Sequence, residues 1–177
     1  MIYENKDQLK KACQGVLAWD GDDVRVLDAD GFQSRLIDDL IYTVVFSPDA
    51  AAKEAASWLI RRGAASMGVL SASIQSLYEA MGRGEIGGFT VPAINIRGLT
   101  YDVAQAVFRA ALRGKVGPVI FEIARSEIDY TKQRPLEYTC AVTAAAVKTG
   151  WRGPIFLQGD HFQMSAKKFA ANADLEK

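Results

Sequence analysis

The segment Pro154-Ile-Phe-Leu-Gln-Gly-Asp-His161 runs apolar and then stops on an acid and the chain's single histidine. An acid beside an imidazole at the end of a buried strand can hold a metal, move a proton, or do both. The competing reading is structural: an Asp that caps a helix and a His satisfied within the core. Neighbouring residues on a regular strand point to opposite faces, so Asp160 and His161 serve one site only where the backbone bends. Gly159 is expected to supply that bend.

Other residues join this pair as candidates. Asn95 closes an apolar segment, where its carboxamide can orient a substrate hydroxyl or tie the following Arg97-Gly98 turn. Arg125 follows the segment Glu122-Ile-Ala124 and suits a phosphate or carboxylate. Glu122 is a candidate buried base. The alternative for this stretch is an Arg–Glu pair bridging adjacent loops. Tyr130 and Arg134 are expected in the loop that follows, as packing and solvated residues.

The elements needed to position these residues are legible behind them. Phe89–Ile96, Pro118–Ala124 and Pro154–Gln158 read as strands, with helices over Thr100–Arg113 and from Pro135 to a stop at Gly150. This βαβαβ order favours parallel pairing with right-handed crossovers. Pro92 is awkward inside its strand because it has no N–H to donate. Ser165 is a candidate cap for a last helix. The open choices are a doubly wound sheet and part of a barrel.

The first 65 or so residues read as mostly helical. A charged helix is expected around Asn5–Gln14, a short strand at Val24–Leu27, and a helix over Phe32–Phe46. Asp28-Ala-Asp30-Gly31 lacks the further ligands of a calcium loop and reads as a plain turn. Ser47-Pro48-Asp49 starts a helix that is expected to stop at Gly63. A further helix is expected over Ser73–Met81.

Composition narrows the function classes. The chain has 177 residues, 49% of them hydrophobic, with 21 basic and 21 acidic side chains. Zero net charge argues against nucleic acid or an anionic membrane as partner. No run of the sequence is long and apolar enough to span a bilayer, and the first residues do not read as a signal peptide. Cys13 and Cys140 are expected to be reduced thiols in a cytoplasmic protein. The glycine fingerprints of dinucleotide and nucleotide-loop sites are missing, as is a serine-hydrolase elbow.

Taken together, Gly88-Phe-Thr-Val-Pro-Ala-Ile-Asn95-Ile, Gly117-Pro-Val-Ile-Phe-Glu-Ile-Ala124 and Pro154-Ile-Phe-Leu-Gln-Gly-Asp160-His161 resemble the start of the class II, metal-dependent aldolases. The resemblance covers about residues 70–165. It implies an α/β fold: a partial (β/α)8 TIM barrel of about three β/α units, preceded by a helical N-terminal segment. Residues 1–65 would form a mostly helical extension and residues 66–177 the first portion of the barrel.

The activity implied is zinc-assisted, reversible cleavage of a ketose bisphosphate such as fructose 1,6-bisphosphate to triose phosphates. On this resemblance His161 matches a zinc ligand, Asp160 the catalytic acid/base, and Asn95 a residue near the substrate. Arg125 is a substrate-binding candidate. A homo-oligomer is expected for the full-length protein.

The sequence also departs from the family. Ala124 stands where the family commonly has Ser, and Leu157-Gln158-Gly159 replaces the usual run before Asp-His. The family's zinc site takes three His, and this chain has one. The remaining Zn2+ ligands are therefore expected beyond Lys177, and the chain alone is expected neither to bind zinc tightly nor to cleave substrate. A tagatose bisphosphate aldolase and a non-catalytic aldolase-like barrel subunit are the alternatives, the latter because such subunits also carry Gly-Asp-His. A complete, open three-stranded α/β binding domain is a third.

Overall fold

The computed structural model describes residues 1–163 and 165–172. Its framework is a four-stranded parallel sheet made of β3 (Val69–Ala72), β4 (Ala93–Asn95), β5 (Ile120–Ala124) and β6 (Gly153–Asp160), in the order β3-β6-β5-β4. The α/β class is thus shown. Strands β4, β5 and β6 lie side by side in chain order, joined by α6 (Thr100–Gly114), α7 (Arg125–Thr131) and α8 (Pro135–Thr149). Strand β3 lies on the far side of β6.

Register assigns the faces. In adjacent parallel strands, residues at the same register position project from the same side. One face carries Val69, Phe121, Ile123 and Ile155, all buried. Phe108 of α6 lies 5.0 Å from Phe121, ring to ring, and 5.2 Å from Trp151. The other face carries Leu70, Asn95, Glu122, Phe156, Gln158 and Asp160. Only the central strand is buried on that side, at Ile120, Glu122 and Ala124, while Leu70 is 55% exposed.

The N-terminal residues build a helical layer. Asn5 caps α1 (Lys6–Cys13) by accepting the Gln8 N–H at 2.9 Å. A hairpin follows, β1 (Leu17–Asp20) with β2 (Asp23–Val26), turning at Gly21 with φ +55°. Asp28, read from sequence as part of a plain turn, caps α2 (Ala29–Gly31), which passes through a π-helical turn, Phe32–Leu36, into α3 (Ile37–Phe46). Helix α4 (Ala50–Ser66) lies against α3, and α8 packs against both. The buried apolar residues run without a break from Tyr3 to Ile155, so this layer and the sheet share one core.

Several boundaries differ from the sequence reading, each for a local reason. Asp49, not Ser47, caps α4, accepting from the Ala52 N–H at 2.6 Å, while the Ser47 hydroxyl donates to the Tyr3 carbonyl at 2.8 Å. Helix α4 also runs through Gly63. A Cβ there would meet the Phe32 ring at 2.6 Å, so this glycine serves helix packing, and the left-handed turn waits until Gly68, φ +77°. Helix α5 (Gln75–Gly82) has no buried residue. Pro92 falls outside β4, and its carbonyl accepts from the Ile120 N–H at 2.9 Å, so its missing N–H costs the ladder nothing. On α6, Ala104, Phe108 and Ala111 are buried, whereas Val103 and Leu112 are 38% and 44% exposed. Helix α7 occupies the expected loop at Tyr130, and Ser165 caps α9 (Ala166–Ala171) as read from sequence.

Both cysteines are free and buried, and burial pushes each thiol up to about 11. No helix among the described residues is long and apolar enough to cross a membrane. Of the segment read as 66–177, residues 164 and 173–177 lie outside the described residues.

Candidate active site

Asn95, Ala124 and Asp160 end β4, β5 and β6, so the parallel sheet brings all three to one carboxyl edge. Ligand sites of parallel α/β sheets lie at this edge. Asn95 and Asp160 also share a face, and Asn95 Nδ2 donates to Asp160 Oδ2 at 2.9 Å. His161 Nε2 lies 3.3 Å from Asp160 Oδ1. Three residues selected from sequence thus form one contact chain.

The bend that allows this is at His161, with φ +50°, and not at Gly159. A left-handed non-glycine residue turns the chain sharply and folds the imidazole back to the acid before it. Gly159 has a different job. A Cβ there would meet the Phe162 ring at 2.6 Å, so the missing side chain makes room for that ring. Neither structural alternative for the pair holds. Asp160 is a strand residue, and the His161 side chain is 74% exposed rather than buried in the core.

Glu127 is the residue the sequence reading passed over. Its side chain is 4% exposed and sits under the site. Oε2 accepts from the Ala124 backbone N–H at 2.8 Å and from Asn95 Nδ2 at 3.2 Å, while Oε1 pairs with Arg97 Nε at 2.5 Å. Burial pushes this carboxyl up, but the Ala124 N–H, the Arg97 guanidinium and the Asn95 amide outweigh it and hold it below the usual carboxylate range. The signal was its spacing: an acid three residues past the strand end reaches back to the N–H that opens the helix. The Arg–Glu pair here uses Arg97 from the loop after β4, and not Arg125, whose Nη1 donates to the Gln163 carbonyl instead.

Asn95 ties these two acids together rather than the Arg97-Gly98 turn. Its amide donates to Glu127 and Asp160, which sets the orientation of both. Arg125 opens α7, and its Nη1 donates to the Gln163 carbonyl at 3.4 Å, just past His161. Glu122 is 9% exposed and accepts from the Gln158 amide, one strand over on the same face. Gln158 also borders a cavity of about 440 Å³ with Ser71, Ser73, Gln75 and Tyr78. That lining offers hydroxyls and amides and no charge.

Two proton-active groups, Asp160 and His161, thus stand in contact at an open edge, with an amide holding the acid. This arrangement can pass a proton between a bound hydroxyl and water. A zinc site asks for more. Catalytic zinc takes three protein ligands, and no group of three His, Cys, Asp or Glu side chains converges among the described residues. Glu127 is also fully engaged by other donors. The described residues do not complete a zinc site. No protein-family model, no curated protein and no solved structure matches the chain.

Proposed function

We propose that this carboxyl edge is the acid–base portion of a class II aldolase-like lyase acting on a phosphorylated ketose, with β4, β5 and β6 as consecutive strands of a barrel-like (β/α) wall in which β3 takes the place beside β6. The observation that carries the reading is the contact chain Asn95–Asp160–His161, in which a 2.9 Å hydrogen bond joins two separate strand ends and the neighbouring imidazole lies 3.3 Å from the same carboxylate. The faces support it as well. A barrel wall has helices on its outer face and its working side chains on the inner one. Here the helix-covered face is apolar, and Asn95, Glu122, Gln158 and Asp160 lie on the opposite face.

In this reading Asp160 takes or returns the proton of the substrate hydroxyl next to the breaking carbon–carbon bond. Asn95 holds the carboxylate in line, and Glu127, kept ionised by Arg97, holds Asn95. His161 stands as a metal ligand. The chain's own residues supply the proton and its orientation and not the Lewis acid, so cleavage by this chain alone is not expected. The cavity beside Gln158 suits the hydroxyls of a sugar chain, and Arg125 remains the candidate for its phosphate. A homo-oligomeric, cytoplasmic protein completes the proposal, the latter on the strength of two free thiols.

A titration with fructose 1,6-bisphosphate, followed by backbone amide resonances, tests the reading. Shifts confined to the ends of β4, β5 and β6, and lost in Asp160→Ala, are expected. Shifts elsewhere, or none at any soluble concentration, overturn it. A second reading, a non-catalytic aldolase-like subunit, rests on the same Gly159-Asp160-His161 segment. A folded chain with no substrate shifts would select it.

A further inference from the structure

A second cavity, of about 360 Å³, opens between α1, the tip of the β1–β2 hairpin and α4. It shares no residue with the carboxyl edge. Its walls carry two tryptophans, Trp19 from the hairpin and Trp58 from α4, both half-buried. Small side chains Ala51 and Ala55 lie one turn apart on α4 and leave room between them. Lys6, Arg61, Asp22 and Glu54 complete the rim.

The cations are gathered on the two indoles. Lys6 and Lys10 stand 5.4 and 5.8 Å from the Trp19 ring centre, and Arg61 and Arg62 stand 5.8 and 5.2 Å from that of Trp58. Contacts of this kind occur about once per 70–80 residues. Chance would spread roughly two over a chain of this size, whereas here four fall on two rings bordering one cavity. Among the described residues, no ion pair joins Lys6, Arg61, Asp22 or Glu54 to an opposite charge. Arg61 Nε donates to the Ser57 carbonyl at 3.2 Å, so its terminal nitrogens, with Lys6 and the two carboxylates, are what a ligand could use.

We infer that this cavity binds a nucleoside phosphate. Three chemical features meet there and each fits one part of such a ligand. A base takes the place of the cations over an indole, where stacking is indifferent to base identity, and releases them to the phosphate. A carboxylate, Asp22 or Glu54, accepts from the ribose hydroxyls. Lys6 and Arg61 neutralise the phosphate. The volume is in the range of small-ligand sites. A sugar phosphate would leave the indoles unused, and a nucleoside would leave the cations unused.

Titration calorimetry of the full chain with ADP, adenosine and ribose 5-phosphate tests this. ADP is expected to saturate one site, with adenosine and ribose 5-phosphate each at least about tenfold weaker. Trp58→Leu is expected to weaken ADP about tenfold or more, the loss of one stacked base. Arg61→Glu, on the exposed rim, is expected to weaken ADP but leave adenosine unchanged, and circular dichroism of each variant checks that it folds. No heat with ADP, or ribose 5-phosphate binding as tightly as ADP, would overturn the inference. So would an Arg61→Glu variant that binds ADP as the parent does.

Discussion

The two faces of the parallel sheet obey different rules. The helix-covered face packs Phe121, Ile123, Val69 and Ile155 with no polar atom among their side chains. The opposite face mixes apolar and polar positions, and its polar groups bond to each other: Glu122 with Gln158, and Asn95 with Asp160. The first face stabilises by excluding water, the second by matching donors to acceptors. Burial of an apolar side chain is tolerant of detail, whereas a buried carboxylate fails when one partner is lost. The face that contributes less to stability is therefore the one whose geometry is most closely specified.

The largest expected effect lies on the covered face. Phe121→Ala should cost about 3–5 kcal/mol, the usual range for an aromatic truncated in a core, read as a fall in the urea midpoint. Next comes Glu127→Ala, at about 2 kcal/mol, because it strands the Ala124 N–H and leaves Asn95 with one acceptor fewer. A loss as large as that of Phe121→Ala would mean that the two faces are not distinct in kind.

A pH series sharpens the same contrast. The Glu127 carboxyl is lower in the folded chain than in the unfolded one, so its contribution is complete above the unfolded value of about 4.3. That contribution is lost as pH falls through the depressed folded value. Glu127→Gln should flatten this acid limb below about pH 5 and leave the neutral-pH slope alone, as followed by urea midpoints. Phe121→Ala should shift the whole curve without changing its shape. The smallest effect belongs to Leu70→Ala on the open face, expected within about 0.5 kcal/mol. A larger loss would show that something covers that side in solution.

What the sequence disclosed follows the same division. Strands β5 and β6 and helices α6 and α8 were legible because continuous apolar runs, Pro135 and Gly150 mark them strongly. So were Asn95, Asp160 and His161, each at the end of such a run. Strand β3 was not legible, since Val69–Ala72 is too short to show a period and gains its strand form only by pairing with β6. The β1–β2 hairpin was half hidden for the same reason, as four Asp and Gly residues obscured its first strand. Arg97 was missed because its role depends on a pairing between loops that no local spacing encodes, whereas Glu127 carried a local signal in its distance from the strand end. Gly63 misled because a glycine inside a helix looks like a stop until the ring above it is known.

The place of β3 has a consequence for how the chain acquires its form. Val69 pairs with Gly153, so among the described residues an early strand has its only sheet partner in the last strand. During synthesis from the N-terminus, β3 emerges long before β6 and must wait unpaired while β4 and β5 join. Closing so long a loop is entropically slow, and an unpaired strand in the interval offers its edge to other chains. Refolding of this protein should therefore be more sensitive to protein concentration than its helix content suggests, with the exposed backbone of residues 69–72 as the point of entry.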